Sequence, residues 1–102
     1  MSSVTDITTA GARPVNISGT IAAGNTAQTL IRANPSIRGY RIYNASSADL
    51  WINDTGAAAT TASPSEIIPA NSWYRSDFGG ASTLGVSIIG ATTGQAFTAR
   101  YW

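Results

Sequence analysis

The stretch that decides the fold is Ile37-Arg38-Gly39-Tyr40-Arg41-Ile42-Tyr43-Asn44. After the small polar residues 45–48, the chain continues as Asp49-Leu50-Trp51-Ile52-Asn53. Both segments alternate with a period of two in aromatic and β-branched residues, which predicts β-strands. The alternation places Tyr40, Ile42 and Asn44 on one face of the first strand. On the second strand it places Trp51 opposite Leu50 and Ile52. The short linker predicts that the two strands pair as an antiparallel hairpin at the centre of a sheet.

An asparagine ends each of these strands, at Asn44 and Asn53. A short amide side chain can bond to the backbone of the turn that follows, so we expect both to cap turns. Asp49, Asn53 and Asp54 also carry oxygen atoms that suit calcium, but their spacing matches no calcium-binding loop, and turn capping is the favoured interpretation. Asn16, Asn44 and Asn53 each begin an Asn-x-Ser/Thr triplet, which we attribute to chance in a chain rich in these residues.

The rest of the chain repeats the strand pattern. Further strands are predicted at residues 15–21, 26–31, 66–68, 84–89 and 95–102, and the first two of these are expected to form a hairpin. A turn at residues 69–72 leads into Trp73-Tyr74-Arg75. Residues 57–65, an Ala/Thr/Ser run, are predicted to be a surface loop, and residues 77–83 an irregular loop. Pro69 stops the strand at 66–68, which favours a sheet edge for it. The fold class is therefore all-β: an antiparallel β-sandwich or small barrel of about seven to eight short strands.

The length of 102 residues predicts a single domain, which we place at residues 15–102. Residues 1–14 contain few large apolar groups, and we interpret them as a flexible N-terminal arm. The arm either lies on a neighbouring subunit or is a frayed terminus. Removal of residues 1–13 is expected to leave the fold intact and, in the first case, to weaken attachment to the neighbour.

Charged residues make up only 11% of the chain, against about 25% in a typical soluble domain. Such a surface has little like-charge repulsion and suits a protein that packs against others, although a plain low-charge secreted domain remains the alternative. A net charge of +1 with six scattered arginines argues against a nucleic-acid partner. No apolar run approaches the ~20 residues that span a bilayer, and residues 1–6 do not look like a signal peptide. We expect synthesis in a cytoplasm and no membrane partner.

Catalytic groups are scarce. The absence of histidine, cysteine and lysine excludes a Ser-His or Cys-His arrangement and lysine chemistry. The five carboxylates, which leave a paired-carboxylate glycosidase formally open, stand in no recognisable motif: Asp6, Asp49, Asp54, Glu66 and Asp77. The sequence thus predicts a protein that is not an enzyme and uses no cofactor or metal.

Large aromatic residues are numerous for so small a chain. Aromatic residues beside arginine are typical of interface centres, and they define a candidate partner interface of six residues: Arg38, Arg41, Tyr43, Trp51, Trp73 and Trp102. Core packing and simple surface stacking are the alternatives, as is a sugar-stacking platform built on Trp51, Trp73 or Trp102. The strand pattern predicts that Trp51 faces outward or into a partner, and that one of Trp73 and Tyr74 is exposed.

Several segments resemble small virion proteins of tailed bacteriophages. The resemblance covers about residues 16–102 and rests on residues 19–24, 27–30, 33–39, 43–44 and 89–99. In that pattern an Asn-Pro turn such as Asn34-Pro35 leads into a strand that ends in asparagine, here Asn44. A second strand with an aromatic residue follows, and a late Gly-Ala-Thr-Thr-Gly-Gln segment, here residues 90–95, completes the sheet.

The resemblance implies a β-sandwich on the outside of a phage particle, commonly as a symmetric oligomer. The leading expectation is a capsid decoration or cement protein on the virion surface that binds between subunits of the major capsid protein and reinforces the shell. Its other partner would be itself, in a homo-oligomer for which a homotrimer is the expected form, after synthesis in the bacterial host cytoplasm. A head-fibre, neck or tail component at low copy number is the second expectation, and a carbohydrate-binding module is a third from a different class.

Overall fold

The computed structural model describes residues 14–76 and 84–102. These residues form nine strands and no helix, and every strand pairing is antiparallel. The strands are β1 (Val15–Asn16), β2 (Gly19–Thr20), β3 (Gln28–Ile31), β4 (Tyr40–Asn44), β5 (Leu50–Asn53), β6 (Glu66–Ile68), β7 (Trp73–Arg75), β8 (Val86–Gly90) and β9 (Ala96–Tyr101).

Two sheets make up the fold. In the five-stranded sheet, β9 pairs with β1 and β2 on one side and with β4 on the other, and β7 pairs with β4. The four-stranded sheet has the order β3-β8-β5-β6. The antiparallel, all-β architecture predicted from the alternation is therefore confirmed, and it has the two-sheet form of a small β-sandwich.

The core lies between the sheets because each strand turns one set of alternate side chains inward. Ile42 and Phe97 of the five-stranded sheet and Leu50, Ile52 and Ile88 of the four-stranded sheet belong to one buried cluster. On β4 the buried positions alternate strictly with partly exposed ones. The predicted facing of Tyr40, Ile42 and Asn44 is thus confirmed.

The predicted hairpin between residues 37–44 and 49–53 is wrong. β4 pairs with β7 and β9, whereas β5 pairs with β6 and β8 in the opposite sheet. The physical reason is the fully buried amide of Asn44. It donates to the carbonyl oxygens of Ala48, at 2.7 Å, and of Ile68, at 2.8 Å. These bonds direct the connection across the core rather than back along the same sheet.

The predicted hairpin between residues 15–21 and 26–31 is also wrong. β1 and β2 pair with β9, and β3 pairs with β8 in the other sheet. The first predicted strand is interrupted between Asn16 and Gly19, where the Asn16 side chain accepts a hydrogen bond from the backbone of Ser18 at 3.0 Å. This split accounts for nine strands in place of the seven to eight predicted.

Several other local predictions are confirmed. β6 ends its sheet, as Pro69 indicated, and Asn44 and Asn53 both accept backbone hydrogen bonds from the residue two positions on. The run at 57–65 is a loop, which is fastened to the four-stranded sheet through a 2.9 Å bond from the Ala59 backbone to the Ser87 hydroxyl. Of the arm predicted at residues 1–14, residues 1–13 lie outside the described residues, as does the whole of the loop predicted at residues 77–83.

Candidate functional site

The outer face of the five-stranded sheet carries a row of three arginines. Arg41 on β4 stands directly opposite Arg100 on β9 and Arg75 on β7. Residues directly opposite in an antiparallel pair project from the same face, and the inward positions of β4 are Tyr40 and Ile42. Arg100, Arg41 and Arg75 therefore project outward from three neighbouring strands, and we call them the arginine row.

Positive charge on this face is not balanced by the described carboxylates. Asp49 precedes β5, Asp54 follows it and Glu66 begins β6, so all three belong to the four-stranded sheet or its ends. Strands lie about 4.8 Å apart, which places the three arginine positions within about 10 Å. Arg75 and Arg100 are exposed, whereas Arg41 at the centre is partly buried.

An aromatic pair lies beside the arginine row. Tyr43 stands opposite Trp73, and their ring centroids are 4.8 Å apart. The Arg41 guanidinium carbon lies 5.0 Å from the centroid of the Trp73 ring, which is a cation–π distance. Trp73 nevertheless keeps 54% of its surface exposed, while Tyr74 is only partly exposed. The expectation that one of these two neighbours is exposed is therefore confirmed.

Arg41, at the centre of the row, is partly buried and lies over the Trp73 ring. Its Nε atom is fully buried and has no hydrogen-bond acceptor among the residues that the structure describes. The guanidinium over the Trp73 ring fixes the side chain without using its in-plane donors. A stacked guanidinium can still direct its terminal amino groups at a planar anion, whereas the buried Nε cannot reach one, so the centre of the row is preorganised for a carboxylate-like group.

Trp102 extends the same face at its other end. Gly39 and Trp102 exchange backbone hydrogen bonds of 3.0 and 3.1 Å, which makes them an opposite pair just beyond Tyr40 and Tyr101. A Cβ on Gly39 would lie only 2.8 Å from ring atoms of Trp102, so the indole lies across this glycine and is partly buried. Arg38 is exposed, and its backbone nitrogen donates to the Trp102 carbonyl at 2.6 Å.

Trp51, by contrast, belongs to the four-stranded sheet. It stands opposite Ile67 and Ile89, while Leu50 and Ile52 on either side are fully buried. Trp51 is therefore on the outer face and partly exposed, as the alternation predicted. It lies on the other side of the sandwich from the aromatic pair, so Trp51 and Trp73 do not form one platform.

The structure thus brings together four of the six candidate interface residues, Arg41, Tyr43, Trp73 and Trp102. Arg75 and Arg100 join them although they were not predicted to. The sequence spacing alone places Arg75 on the same face as Trp73, two residues away, and Arg100 on the face opposite the buried Phe97, three residues away. The sequence pattern did not predict that β4 pairs with both β9 and β7, and this pairing brings together arginines that are far apart in the chain.

The inner side of the sandwich contains one buried hydroxyl of note. Tyr40 is 1% exposed, and its hydroxyl donates to an Asp54 carboxylate oxygen at 2.7 Å. Burial first, and then this hydrogen bond, raise the pKa of the Tyr40 hydroxyl well above its usual range. The group therefore remains a protonated donor that ties β4 to the end of β5, which is a structural role.

A pocket of about 450 Å³ lies between β3, the residues after β5 and the start of β8. Among its described lining residues Arg32 is the only ionisable one, so the lining offers no pair of carboxylates for acid–base chemistry. Within residues 14–76 and 84–102, no group of three carboxylate, histidine or cysteine side chains is close enough to hold a metal ion.

Comparison with known proteins identifies no relative of this chain. No family model, no curated protein and no solved structure matches this chain. None of the described residues forms a helix of the length and hydropathy that crossing a membrane requires. The fold and the outer face of the five-stranded sheet are therefore the basis for a functional proposal.

Proposed function

We propose that this protein is a structural protein of a tailed-phage virion, a capsid decoration or cement protein that binds the outer surface of the major capsid shell. Its attachment surface is the outer face of the five-stranded sheet. One observation carries the proposal: arginine and aromatic side chains are gathered there, with Trp73 54% exposed at their edge. Aromatic residues and arginine are the side chains that dominate binding energy at protein interfaces.

The rest of the chain supports a role in adhesion. The chain has few charged residues and no histidine or cysteine, and the lining of the 450 Å³ pocket has no paired carboxylates. Few side chains could therefore act as catalytic groups. The resemblance of residues 16–102 to phage virion proteins supplies the setting and the expectation of a homotrimer. On a symmetric shell each contact can be weak, because repetition multiplies its effect.

Copy number per virion, measured by quantitative mass spectrometry against the major capsid protein, tests the setting. A ratio near one, or a simple fraction such as one third, is expected for a protein that covers the shell. A few copies up to about a dozen would place it at a vertex, neck, tail or head fibre instead. Absence from purified particles would contradict the proposal and bring forward the carbohydrate-binding alternative.

The attachment surface is tested separately, by binding of purified variants to shells that lack the protein. Trp73→Ala is expected to weaken binding by about tenfold or more, as loss of an exposed aromatic anchor does. Ile67→Ala is the matched control, because Ile67 is a similarly exposed apolar residue (43%) on the opposite sheet. Equal losses for the two variants would contradict the assignment of the surface.

A further inference from the structure

We propose that the arginine row binds carboxylate groups that an acidic, extended segment of the partner protein carries at alternate positions. The inference deepens the proposed function and rests on it for the kind of partner, a protein. It concerns Arg100, Arg41 and Arg75, which the register places side by side on β9, β4 and β7.

Like charges directly opposite one another on neighbouring strands destabilise a sheet, and here two such contacts share Arg41. The described carboxylates lie with the four-stranded sheet, so they do not relieve this repulsion. An anionic partner would relieve this repulsion. Binding would then supply the favourable charge interaction that the arginines lack in the isolated chain.

All six cations of this chain are arginine and none is lysine. Arginine presents a planar fork of donors that matches a carboxylate at two points, whereas lysine is a point charge. The central guanidinium is already positioned by the Trp73 ring 5.0 Å away, which reduces the ordering that binding requires.

Side chains on one face of an extended segment recur about every 6.6 Å, so two successive carboxylates fit within the span of about 10 Å between the outer positions of the row. Long arginine side chains cover the difference. Acidic residues at alternate positions of a strand therefore meet the row when the strand crosses β9, β4 and β7.

Nucleic acid also combines negative charge with aromatic contacts, but this face suits it less well. Binding of single strands relies on bases that stack on free aromatic faces. Here Trp73 already contacts Tyr43 and Arg41, and the Trp102 ring lies across Gly39. A base would have to displace these contacts, whereas a carboxylate uses the donors that they leave available.

The experiment uses the full chain and three labelled probes at low salt. The probes are a ten-residue peptide of alternating Glu and Thr, the same peptide with Gln in place of Glu, and a single-stranded oligonucleotide of equal charge. We expect the Glu peptide to bind about fivefold or more tightly than the Gln peptide, since each ion pair with an exposed arginine contributes a factor of about 1.4–5 and two carboxylates fit along the row. Raising the salt to about 0.5 M is expected to remove most of the difference.

Matched variants locate the effect. Arg100→Gln is expected to weaken binding of the Glu peptide severalfold, and Arg41→Gln/Arg75→Gln/Arg100→Gln to remove the preference for Glu over Gln. Arg32→Gln takes away the same single charge at an exposed position after β3, and it is expected to leave the affinity within about twofold. Equal losses in Arg100→Gln and Arg32→Gln, no preference for Glu, or tighter binding of the oligonucleotide would each overturn the inference.

Shell binding separates this inference from the proposed function. If the full chain binds shells and the triple variant binds them equally well, the arginine row is not the contact and the inference fails while the proposed function stands. If the full chain does not bind shells but prefers the Glu peptide through the arginine row, the capsid setting fails and the inferred chemistry stands.

Discussion

The polar groups at the connection between β4 and β5 and those of the arginine row differ in where they find partners. At the connection, Asn44 donates to the carbonyls of Ala48 and Ile68, and the Gln95 amide donates to the Ser46 hydroxyl at 3.0 Å. In the arginine row, by contrast, the side chains of Arg75 and Arg100 are exposed on the outer face of the sheet. The first set is consumed inside the chain, whereas the second is available outside it.

This difference separates the polar groups that stabilise the fold from those that are available to bind a partner. A buried amide without partners would cost about 1–3 kcal/mol, so the connection is stable only with its full set of bonds. The arginine row is repulsive within the isolated chain and becomes favourable only with an anion. Substitutions in the two regions are therefore expected to affect different measurements.

The largest expected effect is at the connection. Asn44→Ala removes both donated bonds and the bond accepted from the backbone of Ser46 at 2.9 Å. We expect the free energy of unfolding to fall by about 3 kcal/mol, in the range of a broken buried polar network. Urea denaturation followed by tryptophan fluorescence measures the change.

Asn16→Ala is the control for this prediction. Asn16 accepts a comparable bond from the backbone of Ser18 at 3.0 Å, but it is exposed, so its loss is expected to cost less than about 1 kcal/mol. A similar loss for both asparagines would mean that the buried amide does not hold the connection.

The same amide explains why the sequence predicted the strands better than their partners. Alternation is a local signal, and it was sufficient to assign the two faces of β4 and to place Trp51 opposite Leu50 and Ile52 on β5. Pairing depends on contacts distant in sequence. The bond from Asn44 to Ile68 spans 24 residues, and a short linker is equally compatible with a hairpin and with a crossing between sheets.

The candidate site was predictable to the same extent. Arg41, Tyr43 and Trp73 were identifiable because arginine and aromatic residues alternate with buried ones in short segments. Arg75 and Arg100 are 25 residues apart, and only the position of β4 between β7 and β9 brings them to the same row. A charge pattern of this kind is a property of the sheet order, which the sequence pattern does not specify.

An intermediate effect is expected for Trp51, which tests the outer face of the four-stranded sheet. Trp51→Ala should lower the free energy of unfolding by about 1–2 kcal/mol, because the ring is partly buried beside Ile67 and Ile89. A fully buried tryptophan would cost about 3–5 kcal/mol. Urea denaturation distinguishes these ranges, and a loss in the upper one would show that Trp51 acts as a core residue.

The smallest effect on stability is expected for the arginine row itself. In Arg75→Gln/Arg100→Gln the central Arg41 keeps its contact with Trp73, while both like-charge neighbours are removed. The free energy of unfolding should stay within about 0.5 kcal/mol of the unsubstituted protein or rise slightly at low salt, and any rise should vanish near 1 M salt, where the Debye length is about 3 Å. Urea denaturation at the two salt concentrations measures both.

A loss above about 1 kcal/mol would show that these arginines stabilise the fold, and the contrast between the two polar regions would then fail. If stability is unchanged while binding of the Glu peptide is lost, the arginine row serves a partner and not the fold.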